Sequence, residues 1–176
     1  MELLKGWDNF CVILGSAAAG LMGLTFVVIA LASDAHRAGH SSGTRGYITP
    51  TIVHFAIVLA FSIFLSLPGQ RVLGLSVALA TAGIVGLAYS GVTIFHVLRF
   101  APNYKAVPED WIWHVIAPLL TYGCLVLASI LIWRHVSTTM YGMATVLTML
   151  LFIGIHNAWD VAVSIAVQKQ KTTTTE

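Results

Sequence analysis

Long apolar stretches alternate with short polar segments along the whole chain. Five stretches stand out by their length, and they cover residues 10–33, 48–68, 72–98, 112–133 and 140–167. Each reaches the length of about 20 residues that a helix needs to cross a membrane. Strict alternation of apolar and polar residues is absent, and isolated strands leave backbone groups unsatisfied in lipid. The pattern predicts an all-α, polytopic integral membrane protein. Its five transmembrane helices form one bundle over residues 1–176, with a polar tail at residues 168–176.

Composition supports this class and excludes two others. Of the 176 residues, 57% are hydrophobic and 9% are charged, and the mean hydropathy is +0.86. Soluble domains contain about 25% charged residues, so this chain cannot cover a soluble globule with polar surface. A net charge of +2 without a basic patch argues against nucleic acid as a partner. The lipid bilayer is therefore the expected partner.

The basic residues predict the orientation of the bundle. With five crossings, one side would hold Lys5, Arg71 and Arg134, and the other would hold Arg37, Arg45, Arg99, Lys105, Lys169 and Lys171. The positive-inside rule then places the amino terminus outside and the carboxyl terminus in the cytoplasm. The first stretch is too long for the apolar part of a signal peptide, so we expect a retained helix. The small multi-pass layout is typical of a bacterial inner-membrane protein.

Small residues recur at intervals of four in two of the predicted helices. The third helix carries Gly74, Ala78, Ala82, Gly86 and Ser90, and the first carries Gly15, Ala19 and Gly23. Such stripes let helices approach closely in lipid. We expect the first and third helices to pack against each other. Because five helices make a thin bundle, we also expect a homo-oligomer or a partner membrane subunit.

The fifth helix holds the polar residues that are most costly in a membrane. At 100° per residue, His156, Asn157, Asp160 and Ser164 share one face of the helix. His156 and Asp160 are four residues apart and can interact directly. A carboxylate inside a membrane costs several kcal/mol unless it pairs, meets water or takes up a proton. This face is the strongest candidate for a functional site, although a purely structural polar contact between helices explains it as well.

Further histidines approach the same side of the membrane in the predicted topology. His54 lies near the start of the second stretch, His96 near the end of the third, and His114 near the start of the fourth. Pro118 shares a helix face with His114 and Thr121, and it is expected to leave a backbone carbonyl without its helical partner. We therefore expect a polar cluster in the cytoplasmic leaflet, centred on His156, Asn157 and Asp160. The alternative for each lone histidine is that it lies at the membrane edge and reaches the headgroup water.

Three hypotheses follow, and the first is ion or proton handling by an oligomeric channel or a small transporter. Its pathway residues are His156, Asn157, Asp160, Ser164, His54 and His96. Ionisable residues inside a helical bundle mark ion pathways and proton relays. The modest continuation of this polar path consists of Thr145 and Thr148 on the fifth helix and of Thr121 and Tyr122 on the fourth.

The second hypothesis is a metal or haem site in a membrane redox or hydrolytic protein. Its ligands would be drawn from His54, His96, His114, His156 and Asp160, because imidazole and carboxylate groups suit zinc, iron and copper. No compact motif such as HExxH supports it, and the two cysteines, Cys11 and Cys124, form no CxxC pair. The third hypothesis is an accessory or scaffolding subunit without chemistry of its own. No motif names a reaction, so the sequence favours a protein that is not an enzyme.

Overall fold

The computed structural model describes residues 6–36, 45–100 and 111–173 of the chain. Within these ranges, the side chains of residues 31–36, 45–50, 96–100, 164–165 and 168–173 lie outside the description. The described backbone consists of helices and turns and contains no strand. The predicted all-α fold is confirmed.

Five long helices follow one another along the chain. They are α1 (Asp8–His36), α2 (Arg45–Leu65), α3 (Val72–Phe100), α4 (Ala117–Leu131) and α5 (Val136–Thr173), and a π-helical turn (Ile112–Ile116) leads directly into α4. Four apolar segments are long enough to cross a membrane, namely Asp8–Ala30, Val72–Phe95, Ile112–Leu131 and Val136–Val163. The described apolar part of α2 is shorter and covers Thr51–Leu65.

The outer surface of the bundle is apolar, as a lipid-facing surface must be. Large side chains such as Ile13, Leu24, Leu120 and Ile130 are more than 60% exposed. In water such a surface would drive association, whereas lipid solvates it. The protein is therefore a membrane-embedded helical bundle.

The helices pack in an order that differs from the predicted one. α1 packs chiefly on α2 and α3 chiefly on α4, while α5 lies against both α2 and α4. The expected packing of the first helix on the third is not the arrangement found. The reason lies in the glycines of α3, because Gly83 and Gly86 adjoin Val126 and Tyr122 of α4. Of the glycines in the predicted stripe, Gly86 therefore accommodates α4, and Gly83 beside the stripe does the same.

The stripe on α1 makes only one close approach. A Cβ built on Gly15 would lie 2.8 Å from Ser62 Cβ of α2, whereas Gly23 has nothing within 4 Å and Ala19 is exposed. The small residues of α1 therefore line its contact with α2 at Gly15 and leave a smooth outer surface further along the helix.

A tight turn around Gly69 separates α2 from α3. Gly69 has a φ of +76°, which glycine adopts without the steric cost that other residues meet. The Gln70 side-chain amide donates a 2.8 Å hydrogen bond to the Phe64 carbonyl and fixes the turn against the end of α2. α2 ends at Leu65 and not at Pro68, because the residue before a proline is disfavoured in helical geometry.

The last helix is longer than the apolar stretch that predicts it. It begins at Val136, before the predicted start at residue 140, and the Thr139 amide already donates to the His135 carbonyl at 2.9 Å. It continues to Thr173, past the predicted end at residue 167. The polar residues at both ends lower the local hydropathy, but they do not interrupt the helical backbone. α5 therefore extends beyond its membrane-spanning part.

Candidate functional site

Polar side chains from three helices meet at one end of the bundle. The beginning of α2, the π-helical turn before α4 and the carboxyl-terminal part of α5 lie at this end, where Trp113 stacks on His156. We call it the histidine end, because it carries His54, His114 and His156. The other end of the bundle holds the start of α5, where Trp7 packs edge-on against Tyr141.

A buried imidazole–phenol pair joins α2 to α4. His54 Nδ1 and the Tyr122 hydroxyl share a hydrogen bond of 2.6 Å, and both side chains are almost completely buried. The bond can form in either direction: the hydroxyl donates to a bare Nδ1, or a protonated Nδ1 donates to the hydroxyl oxygen. Gly86 of α3 lies against the Tyr122 ring and leaves no room there for a side chain. Three helices thus fix the position of this pair.

An imidazole–carboxylate pair lies on α5. His156 Nδ1 is 3.2 Å from Asp160 Oδ2, one helical turn away, and the two side chains are 26% and 43% exposed. The indole of Trp113 stacks on the His156 ring with 4.3 Å between centroids and 11° between planes. The stack holds the His156 ring parallel to the indole and limits the directions in which the imidazole can turn. The pair therefore sits at the rim of the histidine end, with Asp160 the more exposed member.

Asn157 differs from its neighbours because it points into the bundle. Its side chain is fully buried, and neither Oδ1 nor Nδ2 has a hydrogen-bond partner among the described residues. The predicted polar face of α5 is thus divided by burial. Asn157 lies inside, whereas His156 and Asp160 lie at the edge.

The backbone before α4 departs from regular α-helix beside the site. In the π-helical turn, the Ala117 amide donates to the Ile112 carbonyl, five residues back. Pro118 follows at once and has no N–H to donate to the preceding turn, and its ring is buried. Single π turns inside helices are frequent at functional sites. The turn carries Trp113 and His114, so the irregular backbone sets the positions of both side chains.

Three further residues were predicted for the site, and the structure describes the side chain of one of them, His114. His114 is half-buried and lies within electrostatic reach of His54. The side chains of His96 and Ser164 lie outside the described residues, so their predicted roles stay predictions. In the described part of the chain, no three His, Cys, Asp or Glu side chains converge to hold a metal ion. We therefore derive no step through a metal or haem.

Two contacts of the site were not anticipated from the sequence. The first is the hydrogen bond between Tyr122 and His54, which joins two helices and which the sequence does not predict. The second is the stacking of Trp113 on His156, which also joins two segments and is not predicted by the sequence. A buried tyrosine hydroxyl needs a hydrogen-bond partner, and that was the available signal. It does not reveal which of several polar residues the partner is.

Comparison with known proteins assigns no family to the chain. No protein-family model matches it, and neither curated proteins nor solved structures give a significant match. Fold and site define a small helical membrane protein with a polar cluster at one end of the bundle.

Proposed function

We propose that this protein handles protons or ions in the membrane through the polar cluster at the histidine end. The observation that carries the proposal is the His156–Asp160 contact of 3.2 Å on a membrane-spanning helix. A carboxylate in that position is costly unless it pairs or titrates, and intramembrane Asp and His residues mark proton relays and ion paths. The neighbouring His54–Tyr122 pair adds a second group that can exchange a proton.

Protons fit this cluster better than metal cations do. Asp160 is the one carboxylate among the described residues of the site, whereas Ca²⁺ and Mg²⁺ require several oxygen ligands. Imidazole is the side chain whose unperturbed pKa lies nearest neutrality, so it can both accept and release a proton. Two imidazole-containing pairs on adjoining helices therefore favour proton transfer as the chemistry of the site.

To cross the rest of the bundle, a proton or ion requires polar groups on the surface of a second subunit. The hydroxyls of Thr121, Thr145 and Thr148 donate to carbonyls of their own helices, so they offer little to a passing ion. Thr145 is exposed on the outside of the protomer. We propose that protomers assemble with one another, or with a partner subunit, and complete the path between them. In the proposed orientation the amino terminus lies outside, the carboxyl terminus lies in the cytoplasm, and the histidine end faces the cytoplasm of a bacterium.

The experiment is a proton-flux assay in liposomes that contain the purified protein and a trapped pH-sensitive dye. Positioned acid–base groups contribute about 10²–10⁴-fold to proton-transfer steps, so we expect Asp160→Asn to lower the flux about tenfold or more. The matched control is His135→Gln, because His135 is an exposed histidine at the start of α5, far from the histidine end. Its flux should equal that of the wild type.

Two results would contradict the proposal. One is the absence of any flux above that of empty liposomes in the wild type. The other is an Asp160→Asn variant with unchanged flux but a smaller assembly in size-exclusion chromatography. The second result would support the accessory-subunit hypothesis, in which Asp160 serves to hold subunits together.

A further inference from the structure

The Asn157 side chain is the least satisfied polar group in the described interior of the bundle. It is fully buried, and its acceptor Oδ1 and donor Nδ2 both lack partners among the described residues. Leaving a buried polar group unpaired is unfavourable, because burial removes its hydrogen bonds to water and nothing replaces them. An apolar residue of similar volume would avoid this cost, and such residues fill the same face of α5 at Leu150 and Ile153.

The direction of this side chain follows from the contacts of its neighbours. Gly154 faces α2, because a Cβ built on it would lie 2.5 Å from Phe55 Cε1. His156 faces the start of the α4 segment, because it stacks on Trp113. At 100° per residue, Asn157 lies about 60° from Gly154 and about 100° from His156, between the two directions. Its amide therefore points into the space between α2 and α4.

The buried imidazole–phenol pair, His54 and Tyr122, also lies between α2 and α4. His54 is the chain neighbour of Phe55 and reaches across from α2 to Tyr122 of α4. Since α2 and α5 are antiparallel and meet at Phe55 and Gly154, Asn157 lies within one helical turn of the level of His54. On α5 it also directly follows His156. The amide is thus placed between the inner pair, His54–Tyr122, and the rim pair, His156–Asp160.

We propose that the Asn157 amide binds water, and that this water links the inner pair with the rim pair. Buried water makes about three hydrogen bonds to polar groups that are otherwise unsatisfied, and a carboxamide offers one acceptor and two donors. The water takes up a proton from one side and releases one of its own protons to the other, so it is regenerated after each transfer. The role as a link rests on the proposed function, whereas the water site itself rests only on the burial of Asn157.

The test is an experimental structure of the wild type in lipid nanodiscs at a resolution that shows ordered water. We expect a density peak within about 2.7–3.2 Å of Asn157 Oδ1 or Nδ2. The matched control is the structure of Asn157→Leu, in which a side chain of similar volume replaces the amide and the peak should be lost. A wild-type map of that quality without such a peak overturns the proposal.

Proton flux and stability of Asn157→Leu provide a second measurement. We expect the variant to lose most of the flux and to keep a Tm close to that of the wild type. A higher Tm with unchanged flux overturns the proposal, because it shows an unsatisfied amide whose removal is favourable. A density peak in a wild type without any flux leaves the water site standing and rejects the proposed function. If the map shows no peak but the proton flux still depends on Asp160, the water link is rejected and the proposed function stands.

Discussion

Gly86→Ala is expected to destabilise the bundle by about 1–3 kcal/mol, the usual cost of overpacking a core. A Cβ at this position would overlap the ring of Tyr122, which is completely buried. The ring cannot turn aside freely, because its hydroxyl is bonded to His54 at 2.6 Å. The added methyl group must therefore either separate α3 from α4 or break the imidazole–phenol pair.

The measurement is the Tm of thermal unfolding in detergent. Tryptophan fluorescence and the helical circular dichroism signal both monitor the transition. Gly91→Ala is the matched control on the same helix, because Gly91 is exposed and a Cβ there meets nothing within 4 Å. Its Tm should be unchanged or slightly higher, since alanine favours helix over glycine. Equal stability of the two variants would contradict the packing described for Tyr122.

The difference between these glycines shows what a sequence can predict about membrane packing. The spacing of Gly74, Ala78, Ala82, Gly86 and Ser90 identifies a face that allows close approach, but it does not identify the approaching helix. Gly86 accommodates a large side chain of α4, and this contact depends on how all five helices assemble. The class of the fold was predictable because length and hydropathy are properties of single segments. The helix pairing was not, because it is a property of the assembly.

The helix ends illustrate a second limit. The apolar pattern predicts that the last helix starts at residue 140, yet α5 begins at Val136. Hydropathy reports how deep a residue lies in the membrane, whereas the helix depends on backbone hydrogen bonds that polar side chains do not disturb. Polar segments therefore predict a local drop in hydropathy better than they predict the end of a helix.

The contacts of the site also differ in whether the sequence predicts them. The contact between His156 and Asp160 was predictable because both residues lie on one helix, four positions apart. The contacts of His54 with Tyr122 and of Trp113 with His156 join different helices and require the packed structure. The burial of Asn157 beside a half-exposed Asp160 also required it, since helix periodicity groups these residues on one face without stating what covers that face.

Tyr122→Phe is expected to destabilise the protein by about 1–3 kcal/mol, because it leaves His54 buried without its partner. The phenylalanine ring keeps the packing against Gly86, so the loss reports the hydroxyl and not a cavity. His54→Leu should cost a similar amount by leaving the buried Tyr122 hydroxyl unpaired. When both polar groups are removed together, no unpaired group remains, and the double variant should recover much of the lost stability.

Comparing the wild type, the two single variants and the double variant separates the structural role of the pair from its proposed role in proton transfer. The stability measurements yield the coupling energy between His54 and Tyr122, provided that each single variant removes only their interaction. If the pair only holds α2 to α4, the double variant should regain proton flux together with stability. If the pair carries protons, the double variant should be stable yet remain deficient in flux, because neither an imidazole nor a phenol is left to exchange a proton. We expect the second result, and recovery of flux in the double variant would remove the inner pair from the proton path while leaving Asp160 as its centre.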